Sequence, residues 1–240
     1  MEDEIVKHTR KIYRVVKNKK ISPWKKLGEI AMEILIIVFA VSLAALFERM
    51  RERAHKAEEA KEFLIGAKED LKGTIESAKW NVKQLNNYQE LYTYFSSLKR
   101  SVKPNKDSLK ANFSYVTYNT DLEENNSRYV GFKSSGKLEQ IENKTLLARL
   151  LAFYEKDLHY YNNSASYWRN QQGKLLDMIE NEVVEKEDGT NNVFEVLTTQ
   201  KAKRLTKSLI PWKQFYDRNE AIITDATEIV EEIDKEYKLR

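Results

Sequence analysis

The chain has 240 residues, 32% of them charged and only ten of them Gly or Pro, so it can bury a real core but lacks the breakers that sheets and turns use. It contains no cysteine, which excludes disulfides, zinc–thiolate sites and cysteine nucleophiles and suits an oxidising compartment such as a bacterial periplasm. The net charge of +4 is local, because residues 1–26 carry nine Lys/Arg against three acids while the remainder is slightly acidic; that distribution argues against a nucleic-acid partner.

Residues 1–22 read as a basic cytoplasmic leader. Ile5, Ile12, Val15, Val16 and Ile21 lie among its lysines and arginines, which fits a short interfacial helix on an anionic leaflet or, equally, a solvated topogenic tail. Ser22-Pro23 then starts a helix, with Ser as N-cap and Pro in the first turn. Residues 23–48 are predicted to be a single transmembrane helix. Ile34–Phe47 has no charge, and the eighteen residues from Ile30 are interrupted only by Glu33, a length of about 27 Å. A soluble core helix is rarely apolar all round, and a cleaved signal lacks a good small-residue site here. Trp24, Lys25 and Lys26 are placed as interfacial anchors, with Glu29 near the headgroups. Glu33 lies a turn deeper. An ionisable group inside a span faces protein, so Glu33, with Glu29, is predicted to mark an oligomer or membrane-partner contact. The nine cations of residues 1–26 orient the N-terminus into the cytoplasm and residues 49–240 outside it.

Beyond Phe47 one long helix is predicted to about residues 99–102. Its seam is Leu64, Leu71, Ile75, Ala78, Val82, Leu85, Tyr88, Tyr92 and Phe95. Residues 103–142 are irregular, with short helical pieces expected at 108–118 and 122–135, a C-cap at Gly136 and an N-cap at Asn143. A second helix follows Leu147, Leu150, Tyr154, Leu158, Tyr161, Ala165, Trp168, Gln172, Leu175, Ile179 and Val183 until the turn at 187–192. The last follows Leu205, Leu209, Trp212, Tyr216, Ile223, Ala226, Val230, Ile233 and Tyr237, with a break near Leu209 imposed by Pro211. The fold class is all-α, with an N-terminal transmembrane helix continuing into an antiparallel bundle of long helices.

The blocks "EILIIVFAVSLAALFERMRERAHKAEEAKEFLIGAKEDLK" (33–72) and "YVGFKSSGKLEQIENKTLLARLLAFYEKD" (129–157) resemble a family of single-span membrane proteins of unknown function common in Bacteroidota. The family's membrane glutamate falls on Glu33 and its Lys-Ser-Ser-Gly on Lys133–Gly136, whereas Met32 and Phe132 depart from its pattern, as does the Glu48–Arg51 stretch where the family has a polar Asn/Trp cluster. The resemblance implies topology and fold, and no activity.

Nothing in the chain points to catalysis or to a cofactor. Three histidines, His8, His55 and His159, cannot supply the two Glu-x-x-His motifs of a di-iron bundle, and Glu155 with His159 reads as a surface pair. Phosphate loops and an esterase elbow are absent. Most aromatics fall on the apolar stripes; Tyr94, Tyr160 and Tyr167 lie off them and are the candidates for a partner surface. These features predict a non-enzymatic, membrane-anchored structural or interaction subunit of a cell-envelope assembly in the bacterial inner membrane. Its partners are then the lipid bilayer and either further copies or other envelope proteins. The alternative is a periplasmic helical-bundle ligand sensor that signals through a partner.

Overall fold

A computed structural model describes residues 2–17, 22–102, 104–105, 109, 113, 116, 122 and 125–238. The expected helical piece at 108–118 falls largely outside them. Helix α1 covers Glu2–Lys17 and α2 covers Pro23–Ser97, 75 residues without a break. Then come α3 (Ser127–Ser134), a 3-10 turn (Lys137–Gln140), α4 (Lys144–Ala152), one turn of π-helix (Phe153–Asp157), α5 (Leu158–Glu182), α6 (Val193–Leu197), α7 (Gln200–Leu209) and α8 (Lys213–Tyr237). Among the described residues there is no strand, only an isolated antiparallel bridge between Glu185 and Asn191, so the class is all-α. The chain divides into two compact units, 1–59 and 60–240, and α2 contributes to both.

In the second unit the predicted seam of α2 is the core: Leu64, Leu71, Ala78, Leu85, Tyr88, Tyr92 and Phe95 are all buried. Trp168 of α5 is fully buried against it, 4.8 Å from the ring centre of Tyr88 and 5.9 Å from that of Tyr92, and its indole donates to the Leu209 carbonyl at 3.0 Å. Contacts run in order along the helices. Asn81 donates to the Tyr161 hydroxyl at 3.0 Å while Tyr88 meets Trp168, so α2 and α5 are parallel. Lys68 pairs with Asp234 and Gln89 accepts from Tyr216, so α8 is antiparallel to α2. The expected antiparallel bundle is therefore only partly what forms. Helices joined by a short loop must reverse, but residues 98–143 are long enough to carry the chain back to its starting end.

Two further expectations are corrected. The helix expected through 147–183 contains the π turn, and its buried positions run 146, 150, 153, 158, 161 and 165, with a step of five at the turn. In α8 the buried line is Phe215, Asn219, Ile222, Ala226, Ile229 and Ile233, while Trp212, Tyr216, Ile223 and Val230 sit at its rim. Large amphipathic aromatics bury their ring bodies at the rim and leave Asn219 to the core, where its amide donates to the Phe215 carbonyl at 2.9 Å. Other signals hold. Asn143 caps α4 by accepting from the Leu146 N–H at 3.0 Å. Gly136 follows α3 in the left-handed region at φ +71° and donates to the Lys133 carbonyl. The break at 210–212 falls at Pro211, whose missing N–H and fixed φ end α7.

Candidate functional site

The first unit inverts the usual burial rule. Between Ile30 and Phe47 the one buried residue is Glu33, at 4% exposure. Met32, Ile34, Leu35, Ile36, Val38, Phe39, Val41, Leu43, Leu46 and Phe47 are all exposed. α2 is the one described helix long and apolar enough to cross a membrane, and its most apolar eighteen-residue window is 6% buried. An apolar segment with no polar face cannot hide its side chains by rotating, so all of them stay on the outside of the helix.

Glu33 is buried by its own chain. Lys11 of α1 reaches across and pairs with its carboxylate, with the ammonium side chain still 65% exposed. This corrects the inference that burial of Glu33 needs a second chain. A cation from the leader is close enough in sequence to fold back, and opposite charges at contact distance attract more strongly as water is removed. Trp24, Lys25 and Glu29 are not brought into the contact. Trp24 is 82% exposed at the start of α2, Lys25 and Glu29 are exposed, and Lys26 is helical.

On α1 the cations Lys7, Arg10, Arg14 and Lys17 are exposed, and their spacings of three, four and three put them on one face. Tyr13, also exposed, accepts from Lys17 Nζ at 3.4 Å, and the ammonium stands 5.4 Å from the ring centre. Ile12 is half-buried. Lys11 is the residue that sequence reasoning missed. The available signal was that a lone acid in an apolar run needs a cation, and the leader holds the nearest supply.

Two polar clusters of the second unit tie α3 and the residues just before it to α2 and to the π turn. Asp70, buried on α2, accepts from Arg128 Nε at 3.0 Å and from the Asn125 amide at 3.0 Å. The Arg128 guanidinium lies across Gly66, where a Cβ would stand 2.2 Å from Nη1; only glycine leaves that space. In the other, Glu155 of the π turn accepts from the Tyr129 hydroxyl at 2.8 Å and from Lys133, and Tyr154 stacks on Tyr129 with ring centres 4.1 Å apart. The bond from Lys133, followed by that from Tyr129, holds the Glu155 carboxyl below its usual range. Burial, reinforced by Glu155, pushes the Tyr129 hydroxyl up. The expected Glu155–His159 pair does not form; His159 Nε2 instead meets the Asn163 amide at 3.0 Å. The Lys-Ser-Ser-Gly segment thus supplies Lys133 as a brace on the π turn.

The three candidate tyrosines do not form one patch. Tyr94 is half-buried on α2, packed beside Phe95 at 5.8 Å. Tyr160 and Tyr167 are exposed on α5, two turns apart; the Arg218 guanidinium lies 5.8 Å from the Tyr160 ring centre, and Tyr167 meets Trp212 edge-on. Burial of Tyr92, with Tyr88 beside it, raises its hydroxyl far above the usual range. Among the described residues no group of three or more His, Asp or Glu side chains is arranged to hold a metal ion. No family model, curated protein or solved structure matches the chain.

Proposed function

We propose that the protein is a non-enzymatic, membrane-anchored interaction subunit of a cell-envelope assembly. Residues 23–48 span the bacterial inner membrane, 1–22 lie in the cytoplasm, and 49–240 form a periplasmic helical domain. The observation that carries this reading is the inverted stretch Ile30–Phe47, where apolar side chains face outward and the acid faces inward. In water such a surface is unfavourable by about 25 cal/mol per Å² of exposed apolar area; in hydrocarbon it is the required one. The resemblance to the single-span Bacteroidota family agrees with this topology. With Glu33 paired inside the chain, association with further copies or other envelope proteins falls to the outward apolar face of the span and to the bundle surface around Tyr160 and Tyr167.

Purification of the full chain in mild detergent, with mass spectrometry of co-eluting proteins and measurement of its size, tests this role. Self-association or a defined set of envelope proteins supports it. A monomer carrying a bound small molecule would instead favour a ligand sensor. Orientation is read from single cysteines in this cysteine-free chain: a membrane-impermeant thiol reagent applied from the periplasm is expected to label Thr190→Cys and to spare His8→Cys.

A further inference from the structure

The first unit contains a second surface, on α1, whose chemistry the span alone does not require. Lys7, Arg10, Arg14 and Lys17 fall within an arc of about 80° on that helix, at 100° per residue. All four are exposed, and exposed Tyr13 and Val6 border them. A stripe of this kind matches a plane of anionic groups with an apolar layer beneath it, each cation near such a surface adding favourable attraction. Three observations place that plane at a bilayer. The helix that carries the outward apolar segment, α2, begins within the same unit, a few residues after α1 ends. Trp24 lies fully outward at the start of α2, where an aromatic belt sits. Lys11 fastens α1 to α2 at Glu33, which ties the stripe to the span.

We propose that α1 is a headgroup-binding helix for anionic phospholipid, using Lys7, Arg10, Arg14 and Lys17, and that the Lys11–Glu33 pair is the latch that holds it against the span. The inference rests on the membrane reading above and adds the lipid class and the residues that select it. The latch explains two features at once. Glu33 is kept out of hydrocarbon by a cation, and the helix bearing that cation turns Lys7, Arg10, Arg14 and Lys17 to the surface.

The test uses the full-length protein in nanodiscs or mild detergent, with lipid retention read by native mass spectrometry for phosphatidylglycerol against phosphatidylcholine. The intact chain is expected to prefer phosphatidylglycerol by about tenfold or more, with the preference falling steeply as salt rises. The variant Lys7→Gln/Arg10→Gln/Arg14→Gln/Lys17→Gln is expected to lose it while remaining in the membrane through carbonate extraction. Glu33→Gln and Lys11→Gln are each expected to weaken it by about two- to fivefold, and the charge swap Lys11→Glu/Glu33→Lys to restore most of the loss. A protein that is integral but shows no lipid preference overturns the headgroup site and leaves the membrane reading standing. A protein released by carbonate overturns both. Equal competition by an oligonucleotide would make the stripe a general polyanion surface and sink the proposal.

Discussion

One helix, α2, passes through two opposite regimes. From residue 34 to 47 its apolar side chains point in every direction and nearly all are exposed; from 60 to 95 most fall on one buried stripe, with Trp80 left exposed. Both segments are comparably helical, so helix propensity does not separate them. Distribution does. A stripe can be covered by neighbouring helices, here α5 and α8, whereas a girdle must be covered by a surrounding medium. Polar residues reverse accordingly. In the first segment the buried residue is an acid fastened to a lysine, and in the second the buried polar groups, Asn81, Asp70 and Thr74, hydrogen-bond within the packed helices.

The comparison predicts where damage stays confined. Trp168→Ala empties the centre of the bundle and is expected to destabilise the second unit by about 3–5 kcal/mol, measured by chemical unfolding of the full chain in detergent, with membrane extraction unchanged. Val38→Asp should do the reverse. It opposes insertion by about 3 kcal/mol, seen as loss from the membrane fraction, and leaves the unfolding midpoint of the bundle where it was. If Val38→Asp unfolded the bundle, the separation of the two regimes would be wrong.

Within the bundle, Arg128→Ala strands the buried Asp70 carboxylate and is expected to lower stability by about 1–3 kcal/mol, a range discounted because the arginine is half exposed. Gly66→Ala supplies a cycle. Alone it drives the guanidinium off its site and destabilises; in the Arg128→Ala background the clash is gone and the gain in helix propensity, up to about 1 kcal/mol, should show as stabilisation. A positive effect in both backgrounds would mean that the arginine does not need the glycine.

The smallest effect concerns Asp157 and Asp225. Burial raises both carboxyls above their usual range; Asp225 adds to the rise at Asp157, and Glu228 to that at Asp225, with Lys156 opposing. A raised acid is disfavoured when ionised in the fold, so stability is gained as pH falls through the folded-state value and is forfeited above it. Asp157→Asn is therefore expected to raise the melting temperature by about 1–3 °C at neutral pH, with the gain shrinking in acid. Glu155 has the opposite sign. Its lowered carboxyl stabilises above the ordinary carboxylate range and that contribution disappears as pH falls through its folded-state value.

Much of the fold was legible because periodicity reports burial directly. The α2 seam, the cap at Asn143, the left-handed Gly136 and the break at Pro211 all follow from local chemistry. Helix direction was not legible, since the parallel pairing of α2 with α5 depends on where the long stretch 98–143 goes. In α8, Ala226 and Ile233 are buried as expected, but Tyr216, Ile223 and Val230 stand one residue off the buried line, because Tyr216 and Trp212 look like core by size and Asn219 does not. At the site, Glu33 stood out as an anomaly within an apolar run, but its partner Lys11 lies 22 positions upstream, among cations that the sequence does not rank.

The π turn at 153–157 carries a consequence for chain length. Its step of five between Phe153 and Leu158 means that α4 and α5 together hold one residue more than an unbroken α-helix needs to keep the same face inward. Deleting a single residue there would return the spacing to four and still present both buried lines to the core. What the shortened chain would lose is the local bulge that turns Tyr154 onto Tyr129 and Glu155 toward Lys133. The surplus residue is thus dispensable to the helix and serves the attachment of α3, so this helix has a length that its neighbour set.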